Sequence, residues 1–130
     1  MHIFFIFVYG ERKVKKRISC KNNSVEWVKI FSSTGQMEQA FATGKPRLLL
    51  VRGKRLCLVK VAERLLAVED TCPHNGESLS KGNVNFIGEI VCPWHGHRFN
   101  LKTGRECAER DRDLITYPIK EEAEGIFVAL

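Results

Sequence analysis

The chain lacks several features that would place it quickly. Its apolar start, Ile3 to Tyr9, is seven residues long, well short of the roughly 18 needed to span a bilayer. The positive charges follow that run instead of preceding it, and no small-residue cleavage site appears, so an export signal is not expected and the expected address is cytoplasmic. No G-x-G-x-x-G follows a strand and no P-loop is present, which leaves no recognisable seat for a dinucleotide or nucleotide. Internal repeats, low-complexity tracts and heptads are also missing. Histidine is scarce, with four in 130 residues.

The formal charge of +6 is unevenly spread. Arg12, Lys13, Lys15, Lys16, Arg17 and Lys21 face only Glu11, so residues 1–24 carry +5 and residues 25–130 carry +1. No basic face follows for the body, and nucleic acid is not an expected partner. At 44% hydrophobic, the chain has enough apolar surface for one core. The expected organisation is a flexible basic N-terminal extension over 1–24 and one domain over 25–130. Membrane contact through Phe4, Phe5 and Phe7, or an added strand, are the alternatives for the extension.

What is abundant is strand-length apolar sequence. "VEWVKIF" (25–31), "RLLLV" (47–51), "RLCLVKV" (55–61), "RLLAVED" (64–70), "IGEIVC" (87–92), "HRFNL" (97–101), "LITYPIK" (114–120) and "GIFVAL" (125–130) are rich in β-branched and large apolar residues. Gly53-Lys54 and Ala62-Glu63 sit where hairpin turns would join three of them. Only "GQMEQAFATG" (35–44) has room for a helical turn, closed by Gly44 and Pro46. The pattern predicts an all-β antiparallel sandwich or small barrel.

Five cysteines, an odd number, with no export signal argue against a disulfide framework. Cys20 falls in the extension, Cys57 in a strand as a small buried thiol, and Cys107 in a charged run. Cys72 and Cys92 differ from these, because each opens a loop that also carries a histidine: Cys72-Pro73-His74, then seventeen intervening residues, then Cys92-Pro93-Trp94-His95. Two thiolates can hold one iron while two neutral imidazoles hold its partner, the donor set of a Rieske-type [2Fe-2S] centre. Pro73 and Pro93 restrict the backbone after each cysteine, and Gly76 and Gly96 permit a tight turn after each histidine. The same four ligands would suit a tetrahedral zinc in an interaction module, although zinc sites more often group like ligands.

With C-P-H-x-G at 72–76, C-P-W-H-G at 92–96, "RFNLKTG" at 98–104 and "LITYPIK" at 114–120, residues 25–130 resemble the Rieske ferredoxins, carriers related to the iron-sulfur domains of ring-hydroxylating oxygenases. The resemblance implies an antiparallel barrel or sandwich with a small two-loop cluster-binding subdomain. It also implies a [2Fe-2S] cofactor on Cys72, His74, Cys92 and His95, the imidazoles lying outermost. A flavoprotein reductase is then the expected donor and an oxygenase or other redox enzyme the acceptor. A small subunit of an assimilatory nitrite reductase is the alternative. Respiratory-chain relatives carry a loop-bracing disulfide at positions that are here Glu77 and Trp94, and hydroxyl donors at positions that are here His97 and Phe99. Fewer donors to sulfur imply a potential low in the Rieske range, about −150 mV.

Around the centre, Trp94 is expected to cover the cluster and pack its loop, and His97 to stand on the solvent side without ligating. Arg98, Lys102 and Arg105 read as a solvated hairpin surface, and "ECAERDRD" (106–113) as an exposed connection. Once His74 and His95 are assigned, only His2 and His97 remain. That is too few for a mononuclear oxygenase iron, so independent catalysis is not expected.

Overall fold

The structure, a computed structural model, describes residues 5–6 and 25–130. The expected flexible extension therefore lies, apart from Phe5 and Ile6, outside the described residues. Among the described residues, eleven strands run in order: β1 (Phe5–Ile6), β2 (Trp27–Phe31), β3 (Arg47–Val51), β4 (Lys54–Val61), β5 (Arg64–Glu69), β6 (Asn83–Val84), β7 (Glu89–Val91), β8 (Arg98–Asn100), β9 (Thr116–Tyr117), β10 (Ile119–Glu122) and β11 (Gly125–Ala129). Helix α1 (Thr34–Ala40) follows β2. Its N-cap Ser33 accepts from Gln36 N at 3.1 Å while Gln36 Oε1 accepts from Ser32 N at 2.7 Å, a reciprocal cap that starts a helix too short to form alone.

Three open sheets result, with strand orders β1-β3-β4-β5-β9, β10-β11-β2 and β6-β7-β8. Every pairing is antiparallel except β1 with β3. The all-β antiparallel expectation holds, as layered open sheets without a closed barrel. The β3–β4 hairpin turns on Arg52 and Gly53, with φ of 50° and 76°. Both values are left-handed, as a two-residue turn matched to strand twist requires.

Strand β4 explains the layering. Its Leu56 and Leu58 enter a core with Val28 and Ile30 of β2, Met37 of α1 and Ile126 of β11. Its Cys57 and Val59 point the other way, into a second core with Cys72, Leu79, Ile90, Cys92 and Phe99. Side chains alternate faces along a strand, so an unbroken apolar run is what a strand covered on both sides requires. The small sheet β6-β7-β8 thus packs on one face of the central sheet, and β10-β11-β2 on the other.

"LITYPIK" does not form one strand. Pro118 offers no N–H to a ladder, and there the chain leaves β9 in the central sheet and enters β10 in another. No helix among the described residues is long and apolar enough to cross a membrane.

Candidate metal centre

The two cysteine-histidine segments form matching turns at one end of the second core. In the first, Cys72 N donates to Glu77 O at 2.8 Å and Gly76 N to Cys72 O at 2.8 Å. In the second, Cys92 N donates to His97 O at 2.9 Å and Gly96 N to Cys92 O at 3.1 Å. Gly76 and Gly96 have φ of 81° and 75°, and a Cβ on either would meet nothing within 4 Å. Glycine is needed at both for the left-handed backbone, not for space.

This shared turn sends thiol and imidazole in opposite directions. Cys72 and Cys92 are buried in the apolar core, whereas His74 and His95 are exposed. The thiols share the second core, and the imidazole centroids are 5.1 Å apart. Burial pushes the Cys72 thiol up, and the neighbouring Cys92 adds to that, against the backbone N–H groups of His74 and Asn75. Two reduced thiols sharing an apolar pocket suit a cation that favours their thiolate forms. The donor set fits an iron-sulfur cluster, with sulfur inside and nitrogen outside.

The surroundings correct three expectations. His97 is not on the solvent side; it is 7% exposed, and its ring stacks on His74 at 3.8 Å with 14° between planes. A carboxylate can only accept, so His97 donates Nδ1–H to Asp111 Oδ2 at 2.7 Å. Trp94 does not pack into the loop: it is 63% exposed, with its ring T-shaped against His95 at 5.6 Å.

Nor is the 106–113 run merely exposed. Glu106 is fully buried and takes both the guanidinium and the backbone N–H of Arg110, which holds its carboxyl down at about 2. The signal in the sequence is an acid and a base four residues apart, a separation that the turn after Glu106 closes. Asp70, a strand end in the sequence, is buried beneath the first loop. Phe99 is fully buried in the second core, while Arg98 stays on the surface beside Glu89 at 3.6 Å. Cys57 is a buried strand thiol, as expected, and burial raises its pKa well above the ordinary value. Cys107 is exposed, with Arg98 Nη2 3.4 Å from its sulfur.

The Rieske [2Fe-2S] domain family matches residues 26–118. The chain belongs to the Rieske [2Fe-2S] family. Its cofactor class is thereby the [2Fe-2S] cluster, not a tetrahedral zinc. Among curated relatives, the ferredoxin component of the naphthalene 1,2-dioxygenase system of Pseudomonas aeruginosa is 36% identical over 81 residues, 62% of this chain and 77% of that protein. The 3-phenylpropionate/cinnamic acid dioxygenase ferredoxin subunit of Escherichia coli K12 is 34% identical over 76 residues, 58% of this chain and 72% of that one. A chain of the solved complex of reduced oxygenase and oxidized ferredoxin in carbazole 1,9a-dioxygenase superposes with TM-score 0.59 at 30% identity, covering 65% of this Rieske chain and 88% of that chain.

Proposed function

We propose that the protein is a one-electron carrier of an oxygenase system, with the cluster held by Cys72 and Cys92 on its inner iron and by His74 and His95 on its outer iron. The observation that carries this reading is the inside-outside division of the donors: both thiols are buried, and both imidazoles open to the surface. When bound, the cluster supplies reversible exchange of one electron. The chain's part is to keep the sulfur end dry within the second core. His74 and His95, with Trp94 edging onto His95, then form the face a redox partner meets.

The relatives that are components of dioxygenase systems support an oxygenase as acceptor. A flavoprotein reductase is the donor this reading requires, and the cytoplasm its compartment. The exposed end carries no dinucleotide motif, so the electron must come from another protein. The potential belongs low in the Rieske range, about −150 mV. Phe99 has no donor, and the Nδ1–H of His97 is committed to Asp111, so neither side chain brings a hydroxyl to the sulfur end. A midpoint above about +100 mV would contradict that account.

The direct test mixes the reconstituted chain with a flavoprotein reductase and a nicotinamide, then adds a ring-hydroxylating oxygenase. Reduction of the visible chromophore, followed by reoxidation coupled to product, is expected. A chain that the reductase reduces but that no oxygenase reoxidises would overturn the acceptor assignment.

A further inference from the structure

We infer that His97 and Asp111 are a positioning pair: Asp111 locks the His97 ring, and that ring holds His74 in the plane needed for ligation while tying the second loop to the first. The inference rests on the assignment of His74 as a ligand. His97 belongs to the second loop and His74 to the first, and their rings lie nearly parallel at 3.8 Å. His95 meets His74 only at a tilt, 58° and 5.1 Å. Rotation of the His74 ring about its Cβ–Cγ bond is therefore opposed on one face by His97 alone among the described rings. Glu77 and Trp94 leave no disulfide to brace the loops, so this ring contact is a non-covalent tie between them.

A stacked ring positions its neighbour only if it is itself fixed, and the segment carrying Asp111 is built to fix it. The carboxylate receives Nδ1–H at 2.7 Å, with both side chains about nine-tenths buried. That bond sets the tautomer and the rotation of His97. The residues on either side of Asp111 are tied to different parts of the fold. Arg110 is clamped to buried Glu106. Arg112 makes a two-pronged pair with Glu69 at the end of β5, at 2.7 and 3.0 Å. Asp111 is thus suspended between two ion pairs and has little freedom to leave His97. His97, Glu106 and Asp111 bring ligand atoms within 4.8 Å of one another, but the Glu106 oxygens are filled by Arg110 and the Asp111 oxygen by His97. The trio is a fixed scaffold, not a vacant cation site.

The test uses the full-length, cluster-loaded chain as wild type, His97→Ala, Asp111→Ala and Asp111→Asn. Three quantities are followed: iron loss to a chelator, the electron paramagnetic resonance g-values after dithionite reduction, and the melting transition. His97→Ala and Asp111→Ala should lose iron about 10-fold faster or more and show displaced, broadened g-values. Asp111→Asn retains an acceptor oxygen and should restore the wild-type spectrum. If His97→Ala does not accumulate, Asp111→Ala carries the test, because it removes no atom that touches His74. Alanine variants that melt earlier yet keep wild-type g-values and iron retention would overturn the pairing. A wild-type chain without a Rieske signal would overturn the site assignment and this inference together.

Discussion

The first loop, residues 71–78, and the second, residues 92–97, repeat the same two backbone hydrogen bonds and the same left-handed glycine, but they are closed at the base by different means. The second is the tip of a regular hairpin, with Val91 paired to Arg98, Ile90 to Phe99 and Glu89 to Asn100. The first has no such ladder; the single bridge Thr71–Ser78 closes it. Beneath it sits Asp70, almost fully buried, accepting from Ser80 N at 2.8 Å, from the Ser78 hydroxyl, and from Arg55 Nη2 at 3.4 Å. One ligand turn is thus held by strand pairing and the other by a buried carboxylate. A turn that presents a thiol inward and an imidazole outward needs a rigid base, and either device can supply it.

The largest effects should treat the loops alike. Cys72→Ser and Cys92→Ser each remove a cluster ligand, and both should yield colourless protein without bound sulfide; a variant that kept the full chromophore would break the equivalence. Asp70→Ala should then separate the loops. It leaves the half-buried Ser80 N–H without its acceptor, at up to about 1–3 kcal/mol, and the Ser78 hydroxyl with only Ser80 Oγ at 3.0 Å. Hydrogen exchange should quicken over 71–80 and stay unchanged over 89–100, whereas equal loss in both stretches would show that the loops share one support.

Smaller still should be Gly76→Ala and Gly96→Ala. Neither Cβ meets an atom within 4 Å, so only the left-handed strain of about 1–2 kcal/mol applies, equally in both, as read by urea unfolding. Unequal costs would mean that the two turns are less alike than their hydrogen bonds indicate. A separate effect, read by pH and not by its size, concerns the segment behind the second loop. Arg110 holds Glu106 at about 2, against 4.5 for a free carboxyl. Its contribution to stability is complete above pH 4.5 and is lost as the pH falls toward about 2. Melting curves of wild type and Glu106→Gln should lie furthest apart near neutrality and converge across that window. A gap independent of pH would remove the ion pair from the account.

Much of this comparison could be read along the chain, because ligand spacing and strand patterning are local. The segment 47–51 forms β3 over its whole length, and the unbroken apolar run of β4 reflects burial on both faces. The supports were not legible, because they are polar groups buried by distant segments. Asp70 and Asp111 look solvated along the chain, and only folding brings Ser78 and His97 to them; Arg110 is within local reach of Glu106, but nothing in the charged run shows that this carboxylate is buried. The burial of His97 is hidden for the same reason: alternation along "HGHRF" does not reveal that a carboxylate from 106–113 waits inside. The Pro118 crossing was hidden because a run of apolar residues reads as one strand until a second sheet claims half of it.

The central claim is the asymmetric grip, buried sulfur on one iron and surface nitrogen on the other. Pulsed electron paramagnetic resonance on the dithionite-reduced, histidine-labelled chain tests it most directly. The account predicts hyperfine coupling to both His74 and His95 nitrogens, with each coupling removed by substitution of its own histidine. A cluster signal without histidine nitrogen coupling, or one unchanged by either substitution, would contradict it.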